Sequence, residues 1–249
     1  MISVLLQGGL GNQLFQIATA YAHSLKVKDR FVLFNNVHFL PLQGSPVDTY
    51  KDNLYRNITF VDPMAMRVYD EKAFAYQGIP EERDLCIRGY FQSEKYFKDN
   101  KKELFKLFDI ENLRGSILHT VEKDSVSLHV RRGDYLKFSE YHRNLPMSYY
   151  HDSLNRLKDK PVLVFSDDID FCKENFKGDR FTFVEGGKDY EDMLLMSKCT
   201  HHIMANSSFS WWGAWMSSGK GTIIAPDPWF GPKGPKDTQD IIPEGWLKL

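Results

Sequence analysis

Short apolar runs alternate with helical stretches along most of this chain. Ile2–Leu6 is an apolar run of strand length, and Gly8, Gly9 and Gly11 end it. From Asn12 to Leu25 apolar residues return at helical spacing, and Phe31–Phe34 predicts a second strand. This strand–turn–helix–strand opening is the start of an α/β unit. Residues from about 36 to 118 carry a weaker pattern. Pro41, Pro46, Pro63 and Pro80 punctuate loops and short elements there, and Phe97–Phe108 predicts a helix with lysines on its wet face.

The second half alternates more regularly. Strands are expected at Val126–Val130, Pro161–Phe165, Phe181–Val184, His202–Met204 and Thr222–Ala225. Helices are expected at Ser148–Leu157, with Ser148 as N-cap, around Phe171, at Tyr190–Ser197 and at Phe209–Met216. Repeated β–α alternation with short connections implies a mostly parallel sheet with helices on both faces. Three regions follow: an N-terminal unit over 1–120, a second over 121–225, and a Pro- and Gly-rich tail over 226–249 that wraps the surface.

Composition narrows the function. The chain has 249 residues, 42% of them apolar, enough for a large core or two smaller ones. The formal net charge is −1, so no broad basic field holds a nucleic acid. Any anion must meet a local cluster. Cys86, Cys172 and Cys199 are far apart and form no metal or disulfide pattern, which fits a reducing cytoplasm. No apolar run reaches bilayer length, and the N-terminus does not read as a signal peptide. The sequons at Asn57 and Asn206 are therefore read as chance.

Four blocks carry candidate chemistry. G-G-L-G-N-Q, residues 8–13, lies between strand and helix; Gly9 and Gly11 let backbone N–H groups approach an anion, and Asn12 and Gln13 add amides for sugar hydroxyls or phosphate. H-V-R-R-G-D, residues 129–134, lies at the C-terminal end of a strand, where parallel sheets bind ligands. Arg131 and Arg132 point to opposite faces, so one can meet a diphosphate with its planar fork while the other pairs with a carboxylate such as Asp134.

F-S-D-D-I-D, residues 165–170, follows another strand. An Asp here can accept the paired donors of guanine, can cap a helix, or, as the D-x-D of Asp168 and Asp170, can hold a divalent cation. The metal is disfavoured because arginine, glycine-turn and serine groups are available to neutralise phosphate. A-N-S-S-F-S-W-W-G-A-W, residues 205–215, places Asn206, Ser207, Ser208 and Phe209 at a helix N-terminus, a phosphate site by geometry and a simple cap otherwise. Trp211, Trp212 and Trp215 have core spacing.

Together with M-S-K-C and the late P-D-P-W-F, these blocks resemble the family 11 α-1,2-fucosyltransferases over nearly the whole chain. The resemblance implies a GT-B-like α/β fold of two Rossmann-like lobes, the N-terminal one reduced. It implies GDP-β-L-fucose as donor, inversion to an α-linkage, no metal or other cofactor, and a galactose-terminated oligosaccharide or lipid-linked glycan as acceptor. It allows a cytoplasmic protein that touches the inner face of the membrane. It maps phosphate binding to Arg131, Ser207 and Ser208, and guanine binding to Asp167. His129, Arg132, Asn206 and Phe209 join the donor set. Asp134, Glu140 and His142 are the nearby candidates for a catalytic base. A transferase using another GDP-sugar, a metal-dependent D-x-D enzyme and a noncatalytic GDP-sugar-binding protein are the rivals.

Overall fold

The computed structural model describes residues 1–35 and 45–249, so Pro41 lies outside the described residues. The chain forms two units. The first comprises residues 1–115 and 237–243, the second 116–236 and 244–249. The tail expected as a separate piece over 226–249 is instead shared between them. Among the described residues no helix is long and apolar enough to cross a membrane.

In the first unit, β1 (Ile2–Val4) leads into α1 (Leu10–Val27). Then come β2 (Leu33–Phe34), β3 (Phe60–Val61), β4 (Arg67–Asp70) and β5 (Leu85–Arg88). α2 (Lys101–Leu107) and α3 (Ile110–Ser116) close the unit. All ladder pairings are parallel: β1 with β5, β5 with β4, and β2 with β3. The segment entering β2 lies along β1, where Ile2 N–H donates to Arg30 O and Val32 N–H to Ile2 O. Chain order therefore reverses between β1 and β5. The single helix expected over Phe97–Phe108 is broken: α2 stops at Leu107, and Asp109 adopts φ 52°. That left-handed turn ends one helix and starts the next.

The second unit is a six-stranded sheet with every pairing parallel. Its strands are β6 (Val126–Val130), β7 (Val162–Ser166), β8 (Phe181–Phe183), β9 (His201–Ile203), β10 (Ile223–Ala225) and β11 (Leu247–Lys248). The spatial order is β8-β7-β6-β9-β10-β11, so this sheet reads 3-2-1-4-5-6. That is the order of a dinucleotide-binding Rossmann unit, and its switch point lies between β6 and β9. The helices are α4 (Met147–Arg156), α5 (Ile169–Asn175), α6 (Asp189–Lys198) and α7 (Ser208–Trp215). Ser148 is not the cap of α4, because Pro146 takes the N-cap position.

Strand periodicity divides the core into two layers. Val126, Leu128, Val130, Val162 and Val164 pack with Tyr150, Leu154 and Phe176 on one face. Leu163 and Phe165 pack with Leu195, Met196 and Cys199 on the other. Trp211 and Trp212 are fully buried, and Trp246 from the tail reaches the Trp211 ring at 5.6 Å. The three cysteines are free and buried. Asn206 is buried with its amide bonded to Arg143 O and Trp229 O, which removes it as a glycan acceptor.

Candidate active site

In a parallel sheet the strand ends at a switch point open into a crevice that ligands occupy. In the second unit this brings together the segment after β6, residues 131–135, and the segment after β9, residues 204–208. Tyr135 ties the two: its hydroxyl donates to Asn206 O at 2.9 Å. The His129 ring, at the end of β6, lies 5.6 Å from the Phe209 ring at the start of α7. His129 is buried, and burial followed by the nearby Arg131 charge pushes its imidazole down to about 3. It is neutral at physiological pH, and its Nδ1 has no partner among the described residues.

The two arginines do separate, but not as the sequence reading paired them. Arg131, rather than Arg132, meets Asp134: Nη2 lies 2.6 Å from Oδ1, and Nη1 lies 3.0 Å from Asp167 Oδ2. Arg132 stacks on the Phe171 ring at 3.6 Å and donates Nε to Asp168 Oδ2 at 2.8 Å. Each guanidinium is thus aimed by a carboxylate from the β7 loop, and both keep about a third of the side chain exposed. Guanidiniums held this way have the planar forks that suit a phosphate group chemically.

Asp167 is heavily engaged. Besides Arg131 it accepts the Arg132 backbone N–H at 2.9 Å. A Cβ on Gly133 would run into its Oδ2 and push this carboxylate aside. Asp168 Oδ1 accepts Phe171 N–H and caps α5, while the Arg132 hydrogen bond holds its carboxyl below the usual carboxylate range. Among the described residues, no group of three or more His, Cys, Asp or Glu side chains is placed to hold a metal ion. Ser207 caps α7 through Phe209 N–H at 3.3 Å, and Ser208 is the first residue of that helix, half-buried.

The three base candidates sit in different surroundings. Asp134 faces Arg131. Glu140 is exposed and paired with Lys233 at 2.6 Å. The His142 ring stacks on Tyr135 at 4.2 Å, and burial lowers its pKa.

One group on this edge was not found from the sequence. Asp192, in the first turn of α6, is half-buried, and its carboxylate accepts no hydrogen bond among the described residues. Burial, with Glu191 and Asp189 adding to it, raises its pKa to about 6. Its sequence signal is an ordinary first-turn acid, which is favourable in any helix.

The first unit presents its own switch point. Gly9 is the N-cap of α1, with no side-chain cap and no acid in the first turn. Asn12 Oδ1 accepts Gln92 Nε2 at 2.6 Å, linking the α1 start to the segment after β5. Gln13 is buried and its amide is occupied: it donates to Gly8 O and Ser45 O and accepts the Tyr55 hydroxyl. Gly11 is buried in the first turn of α1.

Known proteins resemble this chain in sequence and in fold. The Escherichia coli alpha-1,2-colitosyltransferase is 34% identical over 98% of this chain and 97% of its own length. The Escherichia coli O-antigen biosynthesis glycosyltransferase WbnK is 29% identical over 98% and 99%. The crystal structure of the fucosyltransferase NodZ from Bradyrhizobium superposes with a TM-score of 0.54 over 87% of this chain and 93% of that one, at 11% identity. That likeness is one of fold, and the fold is GT-B-like. The profile of Glycosyl transferase family 11 matches residues 47–249, and the protein belongs to that family.

Proposed function

We propose that this glycosyltransferase moves L-fucose from GDP-β-L-fucose to a glycan hydroxyl, O2 of a terminal galactose, with inversion to an α-1,2 linkage. The observation that carries the reading is the pair of guanidiniums just past the end of β6, Arg131 and Arg132, each aimed by a carboxylate of the segment after β7. These groups match a diphosphate leaving group. As the acceptor oxygen forms its bond to the anomeric carbon, the bond from that carbon to the β-phosphate oxygen breaks, and negative charge grows on the phosphate. Arg131 and the α7 N–H groups stabilise that charge where it develops. The acceptor proton leaves to solvent or to a base, for which His142 is our choice, since it is neutral and half-buried.

Two guanidiniums and a helix N-terminus supply positive charge at the phosphates, so we propose that no metal is needed. The acceptor is a galactose-terminated oligosaccharide or lipid-linked glycan, and the enzyme works in the cytoplasm, in touch with the membrane when the acceptor is lipid-linked.

The donor sugar has a second reading. The relative named as a colitosyltransferase favours a donor that lacks the 3-hydroxyl of fucose. Incubation with GDP-fucose and other GDP-sugars against a galactoside panel, with and without EDTA, tests both. An α-1,2-linked fucoside formed in EDTA supports the proposal. Transfer from a different GDP-sugar, rescue only by manganese, or donor binding with no turnover selects one of the rivals.

A further inference from the structure

The turn that follows β5 is built against backbone preference. Gly89 has φ +155°, and a Cβ there would run into Glu71. Phe91 is fully buried yet has φ 51°, a conformation that bulky residues rarely adopt. Backbone held this way persists only where its surroundings determine it, and such positions cluster at functional sites. The determinant here is one side chain. Glu71, just past β4, accepts Tyr90 N–H on Oε2 at 2.7 Å and Phe91 N–H on Oε1 at 2.8 Å. The next residue, Gln92, is buried and donates to Asn12 Oδ1 at 2.6 Å. This fixes the Asn12 amide with its Nδ2 packed over Gly8, at the start of α1.

We propose that Glu71 is a positioning residue for the switch point of the first unit: its carboxylate holds the 89–91 turn, the turn holds Gln92, and Gln92 fixes the Asn12 amide at the start of α1. The role rests on the GDP-sugar reading above for the identity of the ligand, but the coupling from Glu71 to Asn12 does not. Ionised, Glu71 accepts both N–H groups; protonated, it offers a weaker acceptor pair. Burial, with the Asp237 charge adding to it, raises Glu71 to about 7, against the pull of the two N–H groups. The other groups around it are Tyr69 and Tyr96, both held neutral by burial, Lys72 over the Tyr69 ring at 5.7 Å, and the Arg88–Asp70 ion pair of the adjoining strands. The clamp is thus poised to tighten as pH rises through neutrality.

The test follows the Gln92 side-chain amide by NMR across pH 5.5–8.5 in the full-length protein. In the wild type it shifts with a midpoint near 7. In Glu71→Gln it stays still. In parallel, kcat/KM for GDP-sugar transfer shows an acidic limb at the same midpoint. That limb disappears in both Glu71→Gln and Gln92→Ala, and the plateau falls on the order of 10-fold, the scale of lost hydrogen bonds to a charge. A static wild-type amide overturns the proposal even if a variant fails to fold, and so does an amide that still titrates, or a limb still centred near 7, in Glu71→Gln. If the amide titrates as expected but no GDP-sugar is turned over, the coupling stands and the donor reading falls.

Discussion

The Tyr135 hydroxyl donates to the Asn206 carbonyl at 2.9 Å, joining the segments that leave β6 and β9. Both groups are buried, so removing the donor leaves a carbonyl without its partner. Tyr135→Phe should lose roughly 1–3 kcal/mol of stability. Because the same bond ties the segment that carries Arg131 to the one that leads into α7, the donor KM should rise more than kcat falls. Thermal unfolding and initial rates over a donor series check both; an unchanged melting temperature with wild-type KM would contradict the role.

Arg131→Lys should reduce turnover nearly as far as Arg131→Ala. Lysine keeps the charge but cannot reach Asp134, Asp167 and two phosphate oxygens with one planar fork. A loss of about 10²–10³-fold in kcat is the scale for one preorganised donor to a developing anion. Arg132→Lys should be milder in kcat, and its cost should appear in stability, through the lost stack on Phe171. Near wild-type kcat in a folded Arg131→Lys, beside an inactive Arg132→Lys, would reverse the assignment.

Among the base candidates the surroundings predict different outcomes. Glu140→Gln removes an exposed ion pair with Lys233 and should change turnover by less than about twofold, since such pairs contribute little. His142→Phe keeps the ring stack on Tyr135 but removes the proton acceptor, and should reduce kcat by about 10²-fold or more. A folded His142→Phe enzyme with unchanged kcat would show that the acceptor proton leaves by another route.

Asp192 predicts a pH signature in stability. Its pKa is raised from 3.8 to about 6 by burial and its acidic neighbours, so the folded state binds this proton more tightly than the unfolded chain does. The resulting destabilisation is absent below the unfolded pKa, grows as pH rises through the folded one, and is complete above it. Asp192→Asn should therefore raise the melting temperature at pH 7.5 and leave it unchanged near pH 3.5. Equal gains at both would mean that the charge is not the cause.

Legibility in the sequence followed burial. β7 is apolar on both faces and β6 is buried on both, with Val126, Leu128 and Val130 at alternate positions, so their runs stand out and the expected Val126–Val130 matches β6 to the residue. β4, with Arg67 and Val68 exposed, and the two-residue β3 and β11 bury too little to leave a pattern. The candidate site was legible as blocks, because glycine, arginine and serine clusters mark strand ends. Its pairings were not. Arg131 meets Asp134 because Gly133 lets the chain turn tightly against Asp167, a closeness that spacing alone does not encode. Asp192 and Glu71 do not stand out in the sequence because their properties come from burial, which the position of an acid along the chain does not reveal.

We propose that the switch point of the second unit holds a guanosine diphosphate group. Calorimetric titration of GDP and UDP into the wild type and Arg131→Ala tests it most directly. GDP should bind, and at about 100 times its dissociation constant should stabilise the fold by roughly 2.7 kcal/mol. UDP should bind far more weakly, and Arg131→Ala should lose at least about tenfold in GDP affinity, the scale for one charge-assisted contact. Equal binding of GDP and UDP, or GDP affinity untouched in a folded Arg131→Ala, would contradict the account.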